Sequence, residues 1–104
     1  MDKTPTGIGS SAWWTDPTWP EGGTTVDRRR WVWAKLWTLD MGKLRSLCVT
    51  TFPPGTIFEP PAKVEPETIK QEQWVTILRG MAATDDEVRQ IMQRMGFGWL
   101  YYLG

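Results

Sequence analysis

Apolar and polar positions along residues 28–39 follow a period of two. Trp31, Trp33, Trp37 and Leu39 share one parity, which Lys35 interrupts, and Val32, Ala34 and Leu36 share the other. Alternation with many aromatic residues predicts a β-strand. A helix is the competing interpretation, because Ala34, Lys35 and Leu36 are good helix formers and Trp33 and Trp37 are four residues apart. We prefer the strand.

A second apolar run at residues 44–52 favours a hairpin. Asp40, Met41, Gly42 and Lys43 before it form a turn signal, since Gly42 can adopt a positive φ angle. The second half of the run is rich in β-branched residues, which suit strands. Two such runs around a short loop predict a β-hairpin, and residues 56–59 could add a third strand.

The last third of the chain has helical signals. Pro66 suits a first helical turn, and apolar residues follow at helical spacing: Ile69, Trp74, Val75, Ile77, Leu78 and Met81. Thr84 and Glu87 fit a capping box. The apolar positions Val88, Ile91, Met92 and Met95 then recur with the period of one buried helical face, and Gly96 is suited to ending that helix. Two packed helices are therefore expected.

Residues 1–25 form a predicted N-terminal arm without regular structure, rich in Pro, Gly, Ser and Thr. Residues 26–104 form one small domain, whose apolar tail at residues 97–104 is expected to dock on the body. The predicted fold class is α+β: a small antiparallel sheet, either a hairpin or a three-stranded meander, followed by two packed α-helices.

The absence of histidine excludes many kinds of chemistry. Twelve basic and twelve acidic residues balance in charge, and there is a single cysteine. Without histidine, neither a Ser-His-Asp triad nor an imidazole metal ligand can form. We predict a protein that is not an enzyme and has no cofactor or metal. One cysteine, no membrane-spanning run and no leader pattern predict a cytoplasmic, reducing location.

Tryptophan is unusually abundant, with eight residues against seven leucines. Trp, Tyr and Arg dominate binding hot spots, and eight indoles exceed what one small core obviously needs. Trp13, Trp14 and Trp19 lie in the arm, which either packs on its own domain or docks on a partner. The surplus indicates a protein-binding surface.

Arg28, Arg29 and Arg30 precede Trp31 and Trp33 and form a second candidate site. Residues 27–45 carry six basic and two acidic side chains, a local excess of four positive charges. Arginine beside exposed aromatic rings can bind single-stranded nucleic acid. The simpler interpretation is that the indoles face the core while the arginines are solvated or pair with acids, seven of which lie in residues 59–87.

Two further groups have structural explanations. Asp85, Asp86 and Glu87 could be imagined as a metal or acid–base cluster, but capping and the helix dipole explain acidic residues in a first turn. Cys48 lies in an apolar run, where a thiol is more often a core residue than a nucleophile.

The sequence thus predicts a non-enzymatic interaction protein that binds a larger protein as an adaptor, inhibitor or assembly component; a phage origin would suit such a chain by association. The partner-binding residues are Trp13, Trp14, Trp19, Arg28, Arg29, Arg30, Trp31 and Trp33. One alternative is a nucleic-acid-binding accessory protein that uses Arg28 to Arg30. Another is a self-assembling structural subunit of a larger, virion-like assembly.

Overall fold

Residues 8–52 and 65–97 are described by the computed structural model of this protein, and their regular structure is entirely helical. These two ranges contain four α-helices: α1 (Thr25–Leu39), α2 (Met41–Thr51), α3 (Gln71–Gly80) and α4 (Asp85–Arg94). Short 3₁₀ helices at Ser10–Thr15 and Pro66–Thr68 precede α1 and α3. No β-strand occurs within these two ranges.

Local capping explains why α1 and α2 are helices. The Thr24 hydroxyl accepts from the N–H of Asp27 at 3.2 Å, and the Asp27 carboxylate accepts from the N–H of Thr24 at 3.1 Å, which completes a capping box. Asp40 both follows α1 and starts α2, because its carboxylate accepts from the N–H of Lys43 at 3.0 Å. The residues interpreted as a hairpin turn are therefore an N-cap and a first helical turn.

The α+β prediction is wrong, since residues 28–39 and 44–52 are helical rather than paired strands. Val32, Trp33, Leu36 and Trp37 are the buried residues of α1, with the spacing of one helical face. Trp31 lies on another side of α1, against the N-terminal arm. The apparent period of two thus arose from two helical faces that both carry tryptophan. The predicted strand at 56–59 lies outside the described residues.

The core lies where the four helices meet. Helix α2 packs on both α1 and α3, α3 packs on α4, and the Ser10–Thr15 helix packs on α4. Five of the described tryptophans belong to the buried core: Trp13, Trp19, Trp33, Trp37 and Trp74. A buried indole removes roughly 150–250 Å² from water, worth on the order of 4–6 kcal/mol as an upper bound. Tryptophan thus supplies much of the apolar area of this core.

The two-helix prediction for the C-terminal third is confirmed, although the first helix starts at Gln71 and not near Pro66. The Thr84–Glu87 capping box is present. Gly96 ends α4 with φ of 89°, and the N–H of Phe97 donates to the carbonyl of Met92 at 3.0 Å. This is the glycine-terminated helix end that the sequence indicates.

Helix α3 ends in the same way but without glycine. Ala82 adopts φ of 72°, and the N–H groups of Ala82 and Ala83 donate to the carbonyls of Arg79 and Leu78 at 3.0 Å each. The left-handed conformation is costly for a residue with a β-carbon. The turn between α3 and α4 therefore holds one strained alanine.

Glu87 joins the N-terminal arm to α4. Its carboxylate accepts from the N–H of Thr84 at 2.9 Å in the capping box, from the N–H of Ile8 at 3.2 Å and from the N–H of Ser10 at 3.0 Å. Burial by itself raises the pKa of Glu87, but the three N–H donors together outweigh it and hold that pKa below its ordinary value. The arm is thus anchored by an anionic side chain.

None of the helices in residues 8–52 and 65–97 is long and apolar enough to cross a membrane.

Candidate functional site

The tryptophans form two groups on different sides of α1. The arm tryptophan group consists of Trp13, Trp14, Trp19 and Trp31. Trp31 contacts Trp19 edge-on with ring centroids 5.0 Å apart and Trp13 at 5.9 Å, and Trp14 lies 6.2 Å from Trp19. Edge-to-face contacts of this kind add to the stabilisation from burial. The arm is consequently held on α1 by a continuous chain of indoles.

The core tryptophan group consists of Trp33, Trp37 and Trp74, with Phe52. Trp33 is central, with ring centroids 6.0 Å from Trp37, 5.8 Å from Trp74 and 6.4 Å from Phe52. The indole N–H groups of the three tryptophans have no hydrogen-bond partner in the part of the chain that is described. This group contributes mainly through apolar packing between α1, α2 and α3.

The predicted partner-binding tryptophans differ in exposure. Trp13, Trp19 and Trp33 are 4%, 6% and 3% exposed, whereas Trp14 and Trp31 are half-buried. A buried ring offers a partner almost no contact area in this conformation. Binding through all five rings stays a prediction; the two half-buried rings are the ones with surface available for contact.

Trp31 borders an open depression between α1 and the arm. The depression has a volume of about 240 Å³ and is lined by Asp16, Thr18, Trp31, Ala34, Lys35 and Thr38. The Trp31 Nε1–H donates to the Thr18 hydroxyl at 2.9 Å, and the Lys35 Nζ lies 6.0 Å from the ring centroid. The indole is therefore fixed in orientation while part of it remains accessible.

Asp16 supplies negative charge at the rim of this depression. Its carboxylate accepts from the Thr18 hydroxyl at 2.6 Å and from the Thr18 N–H at 2.8 Å. These two hydrogen bonds, with a smaller contribution from the Lys35 charge, hold the pKa of Asp16 below its ordinary value. The depression thus combines an aromatic surface with one fixed anion and one cation.

Arg28 and Arg29 are directed at backbone carbonyls. Arg28 donates through Nε to the carbonyl of Pro20 at 3.2 Å, and Arg29 donates through Nε to the carbonyl of Met95 at 3.0 Å. The Arg29 guanidinium also stacks 4.0 Å from the centroid of the Phe97 ring. Both side chains therefore tie α1 to neighbouring segments, and phosphate would have to compete for them.

Arg30 is more exposed and pairs with acids, as the simpler interpretation of the arginine triplet expected. It lies 2.8 Å from a Glu67 oxygen and 3.4 Å from a Glu65 oxygen. The hydrogen bond to Glu67 raises the pKa of Arg30, and the same bond lowers the pKa of Glu67. The local excess of positive charge at the arginine triplet is thus partly neutralised within the fold.

Trp14 has a cation of its own. The Arg94 guanidinium lies 4.0 Å from the Trp14 ring centroid, a distance at which cation–π attraction is significant. The half-buried Trp14 and the exposed Arg94 thus form a pair where the arm meets the end of α4.

The acidic residues of α4 are accounted for by the helix. Asp85 pairs with Arg79 at 2.8 Å and Asp86 with Arg89 at 3.2 Å, while Glu87 accepts backbone N–H groups. Within residues 8–52 and 65–97, no group of three His, Cys, Asp or Glu side chains could hold a metal ion. Cys48 is buried in α2, and burial raises the pKa of its thiol to about 11.

Sequence reasoning missed an exposed apolar surface at the junction of α1 and α2. Leu39, Met41 and Val49 are 42%, 47% and 63% exposed. A strand assignment hid the signal, because on a strand Gly42 and Ser46 lie on the opposite face from Arg45 and Val49, whereas on a helix the four residues share one face. With α2 recognised as a helix, this spacing would have indicated the surface.

Comparison with known protein families, with curated proteins and with solved structures gives no match for this chain. What the described geometry itself defines is a small helical protein with a rigid aromatic surface on α1 and an apolar, basic surface on α2.

Proposed function

We propose that this chain is a non-enzymatic protein that binds another protein through the surface around Trp31 and Trp14. The observation that carries the proposal is the accessible part of the Trp31 ring. Trp13 and Trp19 support that ring from behind, and Thr18 fixes its orientation. A pre-ordered aromatic side chain loses little entropy on binding, which is typical of interface anchors.

The depression beside Trp31 suits one apolar side chain of a partner. Ala34 leaves room over the helix, the indole supplies apolar area, and Lys35 and Asp16 can pair with polar groups at the rim. The volume of about 240 Å³ is below the range of sites that enclose a small molecule. Its shape and chemistry favour a protein surface over a metabolite.

The nucleic-acid alternative has weaker support. Arg28 and Arg29 donate to backbone carbonyls, and Arg30 pairs with Glu67. Phosphate binding by this triplet would require these contacts to be exchanged. The structural-subunit alternative requires that the purified chain associates with itself.

The test is an affinity capture from nuclease-treated lysate of the source organism, with two matched variants. Ala34→Arg places a long side chain in the depression from an exposed position on α1. Gln90→Arg adds the same charge at an exposed position on α4. We expect one stoichiometric protein to be captured by the wild type and by Gln90→Arg, and lost with Ala34→Arg.

Equal capture by both variants would contradict binding at this depression. Material that is captured only in a parallel experiment without nuclease would favour the nucleic-acid alternative. A concentration-dependent oligomer of the wild type in light scattering, with nothing else captured, would favour the structural subunit.

A further inference from the structure

Helix α2 presents an arc of side chains that no other described segment covers. At 100° per residue, Val49, Gly42 and Ser46 lie at the centre of this arc, and all three are exposed. Val49 has the largest exposed fraction of any large apolar side chain described, 63%. We call the arc formed by Met41, Gly42, Lys43, Arg45, Ser46, Val49 and Thr50 the α2 face.

Two cations flank the centre of the α2 face. Arg45 lies on one side of Val49, and Lys43 lies on the far side of Ser46; both are exposed. Helix α2 contains no acidic residue. Among the described residues, the side-chain ion pairs involve Arg30, Arg79 and Arg89 and leave Arg45 and Lys43 without a carboxylate. The two positive charges are thus available to a partner.

The pattern resembles one half of a helix–helix interface. Gly42 and Ser46 are one turn apart, and small residues at that spacing let another helix approach closely. Apolar area is available at Val49 and Met41, and Leu39 at the end of α1 is also exposed. Flanking charges of one sign set partner choice in such interfaces.

We propose that the α2 face binds an amphipathic helix of a different protein, whose apolar stripe is bordered by acidic residues on both sides. The apolar stripe would cover Val49, Gly42 and Ser46, while its carboxylates would reach Arg45 and Lys43. This surface is separate from the Trp31 depression and does not rest on the function proposed for it. Two such surfaces on one small chain are the arrangement of an adaptor.

A second copy of this chain fits the α2 face poorly. A twofold contact between two α2 helices is isologous, so it would gather Arg45 and Lys43 of both copies. The nearby acid is the N-cap Asp40, and its carboxylate already accepts from the N–H of Lys43. Four acids elsewhere in the described residues already pair with arginines of the same chain. Glu65 and Glu67 pair with Arg30, Asp85 pairs with Arg79, and Asp86 pairs with Arg89. Charge complementarity therefore points to another protein.

The test uses a synthetic peptide of about 18 residues, roughly five helical turns, with leucine on one stripe and glutamate on both borders. A second peptide has lysine in place of each glutamate. Calorimetric titration into the full chain is expected to show binding of the glutamate peptide and none of the lysine peptide. Raising the salt concentration should weaken the binding, because the charge pairs are at the rim.

Two matched pairs of variants locate the binding. Arg45→Glu should raise the Kd about tenfold, while Lys70→Glu, an equal change of charge at the exposed start of α3, should change it by less than about twofold. Val49→Ser should raise the Kd about fivefold through lost apolar contact. Val26→Ser removes an exposed valine from the first turn of α1 and should have no effect.

Several outcomes would overturn the inference. Equal binding of both peptides would remove the charge argument, and so would equal effects of Arg45→Glu and Lys70→Glu. No heat of binding at millimolar peptide would exclude an acidic helix. A wild-type dimer in sedimentation that Val49→Ser dissociates would assign the face to a second copy. Displacement of the peptide by a single-stranded oligonucleotide would assign it to nucleic acid.

Discussion

The carboxylate of Glu87 accepts the backbone N–H of Ser10 at 3.0 Å, across 77 positions of the chain. The same side chain completes the capping box of α4 with Thr84. One glutamate therefore starts a helix and fastens the segment that carries Trp13, Trp14 and Trp19. Loss of its charge should affect both features together.

Glu87→Gln should lower the free energy of unfolding by about 1–3 kcal/mol, because a neutral amide has one acceptor oxygen for three N–H donors. Urea unfolding followed by far-ultraviolet circular dichroism measures the change. Glu21→Gln is the control, since it neutralises an exposed glutamate that makes no such contacts. Equal stability of the two variants would contradict the role of Glu87 as an anchor.

The contribution of Glu87 should depend on pH. Its pKa in the folded chain is lowered, so the ionised form stabilises the fold above the ordinary glutamate pKa of about 4.3. This stability is lost as the pH falls through the lower, folded-state pKa. The difference in unfolding free energy between wild type and Glu87→Gln should therefore be largest near neutral pH and shrink below about pH 4.3. A constant difference down to acidic pH would contradict this assignment.

Gly96 and Ala82 end two helices with the same backbone conformation but different side chains. A β-carbon at Gly96 would meet the methyl group of Thr25 as well as the strain of a positive φ angle. Gly96→Ala should lower the free energy of unfolding by more than about 1 kcal/mol. Gly22 has open space around it, so Gly22→Ala should leave the free energy of unfolding nearly unchanged.

Ala82→Gly, in contrast, should raise the free energy of unfolding. It relieves the strain of a left-handed alanine at the expense of greater freedom in the unfolded chain, for a net gain of about 0.5–1 kcal/mol. Thermal unfolding of the variant beside wild type measures this. A lower melting temperature for Ala82→Gly would show that the turn favours a side chain there.

The three arginines of the triplet should differ in how much each contributes to the stability of the fold. Arg29→Met removes the hydrogen bond to the Met95 carbonyl and the contact with Phe97. It should therefore lower the free energy of unfolding by about 1–2 kcal/mol. Arg30→Met breaks an exposed ion pair, which solvent screens, and should lower the free energy of unfolding much less than Arg29→Met does. Similar losses in urea unfolding would contradict this distinction.

Cys48 should be almost unreactive in the folded chain. With a thiol pKa of about 11, roughly one thiol in a thousand is ionised at about pH 8, against about a quarter for an unfolded cysteine of pKa near 8.5. Alkylation followed by mass spectrometry should thus be at least about tenfold slower in the folded chain than in urea. Fast alkylation without denaturant would indicate that α2 opens readily.

Prediction from sequence succeeded where local signals acted alone. Thr84 and Glu87 mark the start of α4, Gly96 marks its end, and the buried face between them has an unambiguous helical period. These signals involve residues close in sequence and need no knowledge of the rest of the chain.

Prediction failed at α1 because two different neighbours bury that helix. Trp33 and Trp37 face α2 and α3, whereas Trp31 faces the arm, so the apolar positions mimic an alternating strand. The capping box of Thr24 and Asp27 was a usable signal, weakened because its third position is Asp rather than Glu or Gln. Asp40 was ambiguous, since the same residue type starts turns and helices.

The candidate site was predictable only in part. The sequence left open whether the indoles beside the arginines face the core or solvent; Trp33 is buried and Trp31 is half-buried. Which indoles remain accessible depends on how the arm crosses α1, a long-range contact that composition does not encode. The α2 face could not be recognised while residues 44–52 were assigned to a strand.

Helix α1 carries indoles of both tryptophan groups, with neighbouring rings in each group about 5 to 6 Å apart at their centroids. At such separations, the excitation energy of one indole is readily transferred to the next indole before a photon is emitted. The wavelength and intensity of the intrinsic tryptophan fluorescence therefore depend on the surroundings of the indole from which the emission occurs. A partner that covers Trp31 or displaces the Arg94 side chain from Trp14 should change that emission, so the chain carries its own optical label for binding.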